Sequence, residues 1–387
     1  MIWKKSFWKV TSRKTWKPCI FRPNIAACPE TPSPLTATGR TSPMPSSLRA
    51  DNIFPVDAKV IASNFLDDEI IAATAVRGGG NNQIFKIETG SATYALKCYR
   101  QDLNDPRDRF ATEIHAVKLL QQLGVACIPR FYAGKDKLNA ALFEWIDGRP
   151  ITHPTKIHID NAIGFIEDLQ NAKIESQNSA GIAAASEACF SIQEIVSQTE
   201  TRLTKLSVTA DPELNCFLTR DFEPAFKEIT DWSKQKAFSS SIDYSREIRW
   251  EEQILSPSDF GFHNALLRKK SEVIFLDFEY FGWDDPTKMT ADFVLHPGMT
   301  LSDQLIAHFI RCATELFADS MNFKNRLGIA LPLYGLRWCM ILLNEYLRND
   351  GEIADEEKKE HLVIQLDKAR AMLQKSVGFR LEYDDGS

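Results

Sequence analysis

Between Ser256 and Trp283 the chain reads SPSDFGFHNALLRKKSEVIFLDFEYFGW, and no other stretch restricts what it can fold into so strongly. Apolar runs at Ala265 to Leu267 and Val273 to Leu276 flank a charged turn at Arg268 to Glu272, the pattern of a β-hairpin. Asp259 and Asn264 precede the hairpin and Asp277 follows it, so local folding alone brings two carboxylates and an amide to one edge. Phosphoryl transfer from a nucleotide needs Mg2+ held by hard oxygen ligands and a carboxylate aimed at the acceptor hydroxyl. In that chemistry Asp259 orients and deprotonates the acceptor, while Asn264 and Asp277 share the metal. Asp and Asn are also common turn residues, so the reading rests on their combination with features upstream.

Residues 71 to 100 read as strand, glycine loop, strand, turn, strand. Ala72 to Val76 leads into Arg77-Gly78-Gly79-Gly80-Asn81-Asn82, Gln83 to Glu88 continues, Gly90-Ser91 turns and Thr93 to Tyr99 returns. Consecutive glycines let backbone amides approach phosphate oxygens, although the same run serves as an ordinary flexible turn. Lys97, on the returning strand, needs a partner to be more than a surface charge, and Glu113 is the expected one. Asp105-Pro106 reads as a helix start with Asp105 as N-cap. Phe110, Ile114, Val117 and Leu120 then mark an apolar face, on or beside which Glu113 lies. A carboxylate there is expected to be paired, because burying it alone is costly. After a loop at Cys127 to Gly134, Ala140 to Gly148 reads as a buried strand ending in a turn.

Asp, four residues, Asn, then a hairpin ending apolar-apolar-Asp resembles the catalytic and metal-binding loops of the aminoglycoside phosphotransferase and choline kinase family, which has a protein-kinase-like fold. The resemblance implies ATP and Mg2+ as cofactors, with Asp259 as catalytic base and Asn264 and Asp277 as metal ligands. It places Gly78, Gly79 and Gly80 over the phosphates and Lys97, steadied by Glu113, on the α- and β-phosphates. Glu144, Trp145 and Ile146 fall in the connector between lobes, whose backbone meets the adenine edge in the family. Asp285 and Asp292 resemble the acid-Pro and later Asp beyond the metal-binding strand, Asp285 taking backbone amides of the catalytic loop and Asp292 capping or pairing with a base such as Arg337. One departure stands out: Pro257 occupies the place where the family has a His, two residues before the catalytic Asp. That change bears on turnover more than on fold, and it leaves a nucleotide-binding pseudokinase or regulatory module as the alternative to an enzyme.

The expected architecture is α+β and two-lobed, a small antiparallel-sheet lobe plus a larger, mainly helical one. Residues 1–50 form an extension, 51–148 the nucleotide-binding lobe and 149–387 the helical lobe with the catalytic loops and acceptor site. From Pro154 to about Trp250 the pattern is helical, with Ile163, Ile166 and Leu169 on one face. Further on, Tyr334, Trp338, Leu342 and Tyr346 form an aromatic stripe that suits either the core or a cationic or sugar acceptor.

Met1 to Ala50 carries nine Lys or Arg against one acid and seven of the 18 prolines, a composition that cannot build a core and is expected to be disordered. Its charge of +8, in a chain of net -6, leaves the body at -14, which disfavours a nucleic-acid partner. No run reads as approaching the roughly 18 apolar residues of a spanning helix, so stable membrane insertion is not expected. Eight scattered cysteines without a C-x-x-C pair argue against a zinc site and fit a reducing cytoplasm. The partner implied is a small hydroxylated acceptor, and oligomeric state is not legible.

Overall fold

The computed structural model describes residues 55–76, 82–100, 105, 107–176, 181–269, 271–320, 322–347 and 355–386. The chain divides into Met1–Arg49 and Ala50–Ser387. The basic extension and Gly78, Gly79 and Gly80 of the glycine loop lie outside the described residues.

Ala50–Ser387 opens with helix α1 (Pro55–Ala62) and strands β1 (Ile70–Val76), β2 (Asn82–Thr89) and β3 (Thr93–Tyr99). Helix α2 (Arg109–Gln122) and strands β4 (Phe131–Lys135) and β5 (Ala140–Glu144) follow. The strands form one antiparallel sheet in the order β1-β2-β3-β5-β4. Side chains alternate across a strand, and that period sorts the sheet into two faces. Leu96 and Cys98 join Phe85, Ile87, Ala140 and Leu142 under Ala58 and Ala62 of α1. Tyr99, Ala141 and Phe143 turn the other way, toward Phe110, Val117 and Leu120 of α2. Lys97, between Leu96 and Cys98, is thereby forced to the α2 side.

Two local expectations are corrected here. The span read as loop from Cys127 to Gly134 contains most of β4, a short edge strand with a register shift between Phe131 and Ala133 and a glycine inside it, features that mask strand periodicity. Helix α2 starts at Arg109, and its N-cap is Asp108, which accepts from Ala111 N at 2.9 Å. Asp105 is held instead by the guanidinium groups of Arg107 at 2.6 Å and Arg109 at 2.5 Å. Charge-assisted bonds to two arginines outcompete a single backbone N–H for that carboxylate.

The larger part begins with β6 (Arg149–Pro150), α3 (Lys156–Ser176), α4 (Ile192–Leu206), α5 (Pro212–Phe217) and α6 (Glu223–Ser239). It continues through β7 (Ile254–Ser256), β8 (Ala265–Arg268), β9 (Glu272–Phe275), β10 (Gly282–Asp284), α7 (Pro286–Leu295), α8 (Asp303–Leu316), α9 (Phe323–Leu342) and α10 (Asp355–Gly386). The expected hairpin is β8 and β9, in register from Ala265↔Phe275 to Arg268↔Glu272, with β6 on its outer edge. β10 pairs back onto β7, Gly282↔Ser256 to Asp284↔Ile254, so the chain just before Asp259 and just after Asp277 is clamped by one ladder. Aromatic residues adjoining the functional positions finish the job: Phe260, Phe275 and Phe278 all pack on Phe165 of α3, the Phe275 ring stacking at 4.6 Å.

Helix α9 runs through the centre of this part, and Tyr334, Trp338 and Leu342 lie in the core rather than facing an acceptor. The sequence reading underrated it. Phe323–Leu347 is long and apolar enough to cross a membrane, yet 78% of its apolar window is buried inside the fold, as expected of a helix that is hydrophobic all round. Gly335 lets α10 approach: a Cβ there would lie 2.0 Å from Ser376 Oγ.

Candidate active site

The sheet and the hairpin meet at Lys97. Its ammonium lies 2.6 Å from Glu113 Oε2 and 2.7 Å from Asp277 Oδ1, with Glu279 Oε2 at 3.8 Å. The ion pair expected from the spacing of Lys97 and Glu113 is therefore present, and both residues are buried. Tyr99 donates to Glu113 Oε2 at 2.8 Å, and Phe278 N donates to Glu113 Oε1 at 3.3 Å, so neither carboxylate oxygen is left bare. Burial alone would discharge Lys97; the charges of Glu113, Asp277 and Glu279 outweigh it and hold the ammonium above its ordinary pKa. Asp277 has φ +67°, an αL turn that lets the chain leave β9 and point this carboxylate at β3. Glu279 also takes the amide of Asn82, at the start of β2, and sits 3.7 Å from Arg109.

A second group forms around Asp259. Asn264 donates from Nδ2 to Asp259 Oδ2 and to the Asp259 carbonyl, both at 3.0 Å. His263 Nε2 lies 2.9 Å from Oδ1, and His296 Nε2 lies 3.5 Å from the same oxygen. The two imidazoles stack, centroids 3.6 Å apart and 7° from parallel. Burial would raise the Asp259 pKa, but the His263 bond, both imidazoles and Asn264 pull it down to about 2. Burial and the neighbouring His263 push His296 down to about 4. Leu276 N donates to Asn264 O at 2.8 Å, tying the Asp259–Asn264 loop to the residue before Asp277.

A buried ionic network underlies that loop. Lys288 of α7 contacts Asp284 at 2.9 Å and Asp292 at 3.0 Å, and donates to Ser258 Oγ at 3.3 Å. Ser258 has φ +67° and also donates to Ser186 O at 2.9 Å, so the turn presenting Asp259 is braced from two sides. Burial raises the Asp284 carboxyl to about 6 despite Lys288. Asp292 pairs with Arg337 at 3.7 Å, as the sequence suggested, and accepts from Trp338 Nε1 at 2.9 Å. Asp285 does not serve the catalytic loop: it caps α7 through Thr287 N at 2.7 Å and pairs with Arg326. A proline at the first helical turn makes that cap the nearest use for its oxygens.

The side chains of the connector residues find partners within the protein. Glu144 spends Oε1 on Arg268 at 3.0 Å and Oε2 on Arg130 N, and its own N–H on Arg130 O. Trp145 lies under the Lys86 ammonium at 5.6 Å, and Ile146 is buried. Sequence reading missed His263, His296 and Glu279. His263 and Glu279 stand one and two residues from named positions, so spacing offered a signal; His296 offered none, since only the packing of α7 brings it to Asp259.

The two-lobed arrangement, an antiparallel sheet whose Lys97 pairs with α2 and faces a hairpin-borne Asp277 on a helical body, is a protein-kinase-like fold. Residues 72–215 match the model of the phosphotransferase enzyme family. Among solved structures, the chain is similar to the choline kinase LicA from Streptococcus pneumoniae, at 16% identity over 82% of this chain and 98% of that one, with a TM-score of 0.54. It is similar to the spectinomycin phosphotransferase APH(9)-Ia, crystallised with ADP and spectinomycin, at 14% identity, 83% and 99% coverage and a TM-score of 0.56. A Plasmodium vivax ethanolamine kinase matches at 16% identity, 84% and 89% coverage and 0.51. At such identities the likeness to these structures is one of fold. No curated protein matches the sequence. The resemblance to the aminoglycoside phosphotransferase and choline kinase family, read first from short motifs, holds at the level of a family model and of the whole fold.

Proposed function

We propose that the protein is a small-molecule kinase that moves the γ-phosphate of ATP, with Mg2+, to a hydroxyl of a small choline-, aminoglycoside- or sugar-like acceptor. The observation that carries this reading is the Lys97 ammonium gripped between Glu113 and Asp277. The donor set fits the nucleotide and metal. Glu113, Asp277 and Glu279 surround Lys97, and Arg109 is shared between Glu279 and Asp105, so negative hard oxygens outnumber the cations there and suit a divalent cation. Asn264 spends its amide N–H groups on Asp259, which leaves its amide oxygen as a metal donor.

Asp277 and Asn264 would hold Mg2+, Lys97 would hold the α- and β-phosphates, and the loop with Gly78, Gly79 and Gly80 would cover them. Bound there, metal and nucleotide supply the transferable group and the neutralisation of its charge. Asp259 stays ionised, and its partly exposed carboxylate accepts the acceptor's hydroxyl proton. Residues 51–148 act as the nucleotide lobe, 149–387 as the acceptor lobe, and 1–50 as a dispensable extension. A reducing cytoplasm is supported by the six described cysteines, all free.

The test is an ATP-consumption screen of hydroxylated metabolites read by mass spectrometry, run beside Asp259→Asn. A product heavier by one phosphate, absent with the variant, supports the reading. Nucleotide binding with no product from any acceptor would favour a module without turnover, the alternative that Pro257 raises.

A further inference from the structure

Pro257, two residues before Asp259, offers its carboxylate no side-chain donor. The carboxylate is approached from the other side. His263 and His296 both turn Nε2 to the same oxygen, Oδ1, at 2.9 and 3.5 Å, while Asn264 takes Oδ2. The tautomer of His296 is set by the backbone: its Nδ1 accepts the Gly298 N–H at 3.0 Å, so the proton of the neutral ring sits on Nε2, facing Asp259. His263 donates from Nε2, the atom 2.9 Å from the carboxylate oxygen, and its Nδ1 is buried with no hydrogen-bond partner among the described residues.

The surroundings hold this pair in place. The His296 ring meets the edge of Trp338 at 4.9 Å, and Trp338 is pinned to Asp292, which Lys288 and Arg337 neutralise. Room for the His263 ring comes from Gly261, where a Cβ would lie 2.7 Å from His263 Nδ1 and 2.8 Å from Met299 Sδ. Asp259, His263 and His296 have the ligand types of a metal triad, with atoms within 4.8 Å of one another. The Gly298 bond argues against that use, since a ring whose Nδ1 accepts a backbone proton keeps its own proton on Nε2 and has no lone pair there for a cation.

We propose that His263, backed by the stacked His296, is the positioning residue that occupies Oδ1 of Asp259 and thereby leaves Oδ2 as the oxygen that meets the acceptor hydroxyl. The His263 bond to Oδ1 at 2.9 Å and the Asn264 bond to Oδ2 at 3.0 Å fix the carboxylate plane, and the His296 ring, its Nε2 3.5 Å from Oδ1, closes the Oδ1 side, so that Oδ2 is the oxygen left to take a further proton. This rests on Asp259 being the base, as proposed above.

The test compares His263→Ala, His263→Gln and His296→Phe with the parent, measuring kcat, the KM for ATP, ADP affinity and the thermal midpoint. His263→Ala lowers kcat on the order of a hundred-fold, the scale of a misplaced reacting group, with the KM for ATP and ADP affinity unchanged. His263→Gln, whose amide N–H reaches the same oxygen, recovers most of the loss. His296→Phe keeps the stack, loses the second Nε2 beside Oδ1 and gives a smaller drop. Parent-like kcat in His263→Ala, or a rise in the KM for ATP that accounts for the whole effect, overturns the proposal. Ring 15N shifts of the parent provide a readout independent of turnover and of any variant's folding: both rings protonated at Nε2. Protonation of His296 at Nδ1 overturns the proposal outright. Nε2 protonation in a protein that phosphorylates no acceptor would instead count against Asp259 as base, not against the pairing.

Discussion

Replacing Lys97 by Met removes the one ammonium that three carboxylates share. Glu113 and Glu279 are nearly inaccessible, with side-chain exposures of 5% and 2%, whereas Asp277, at 34%, can turn to solvent. Breaking a buried pair by deleting one partner costs roughly 3–5 kcal/mol, because the other charge is left uncompensated. Glu113 retains its bonds from Tyr99 and Phe278, and Glu279 keeps Arg109 at 3.7 Å, which places the loss near the lower end, about 3 kcal/mol. Adding Glu113→Gln to Lys97→Met removes the orphaned charge while preserving an acceptor for Tyr99. The double variant is expected to regain most of the stability, a coupling of about 2 kcal/mol, within the range seen for residues in one network. Nucleotide affinity and turnover should stay lost in both, since neither restores the ammonium. The assay is urea unfolding of nucleotide-free protein beside ADP titration. A double variant no more stable than Lys97→Met, or one that binds ADP like the parent, would refute the reasoning.

Asp277→Asn removes one of the three negative charges at Lys97, so Mg2+ with ADP should no longer raise the thermal midpoint; in the parent, nucleotide at a hundred times its Kd is worth about 2.7 kcal/mol. At Gly282 a Cβ would fall 2.5 Å from Ala183 O and Ala185 N, backbone atoms that cannot step aside, so Gly282→Ala should lose about 1–3 kcal/mol in urea unfolding. Gly164, in α3 with open space around it, serves as the opposite control, and Gly164→Ala should gain roughly 0.5–1 kcal/mol. Burial would raise Glu187, but Arg337 at 2.8 Å and Arg202 at 2.5 Å bring it down to about 2. A lowered carboxylate stabilises the fold above its unfolded pKa and loses that contribution as pH falls through the folded value. The gap in thermal midpoint between parent and Glu187→Gln should therefore be full at pH 7 and shrink as the pH drops below the ordinary Glu range toward about 2. A gap independent of pH would exclude the ion pairs as its cause.

Features that depend on neighbours in the chain were legible from the residues alone. The hairpin at 265–275 follows from two apolar runs around a charged turn, and alternation along β3 sends Lys97 to the face of α2. The α2 face that carries Glu113 was visible in its period, but its start was not. On paper Asp105-Pro106 reads as the cap, and only the reach of Arg107 and Arg109 to Asp105 leaves that role to Asp108. The strand β4 was hidden for a related reason: an edge strand with a register shift takes its identity from pairing with β5, not from its own pattern.

By itself, the sequence determined the antiparallel hairpin, the helical body and the choice of hard oxygen donors, since each is set by side-chain chemistry within a few residues. Tertiary structure alone decided that Glu279 joins the Lys97 cluster, that α9 is a core helix, and that His296 and the Lys288 network stand behind Asp259. The contacts that bring Glu279 to Lys97, His296 to Asp259 and Lys288 to Ser258 join residues 30 or more positions apart. Which imidazole or ammonium reaches a given carboxylate depends on how whole helices pack, and burial then sets the strength of each charge.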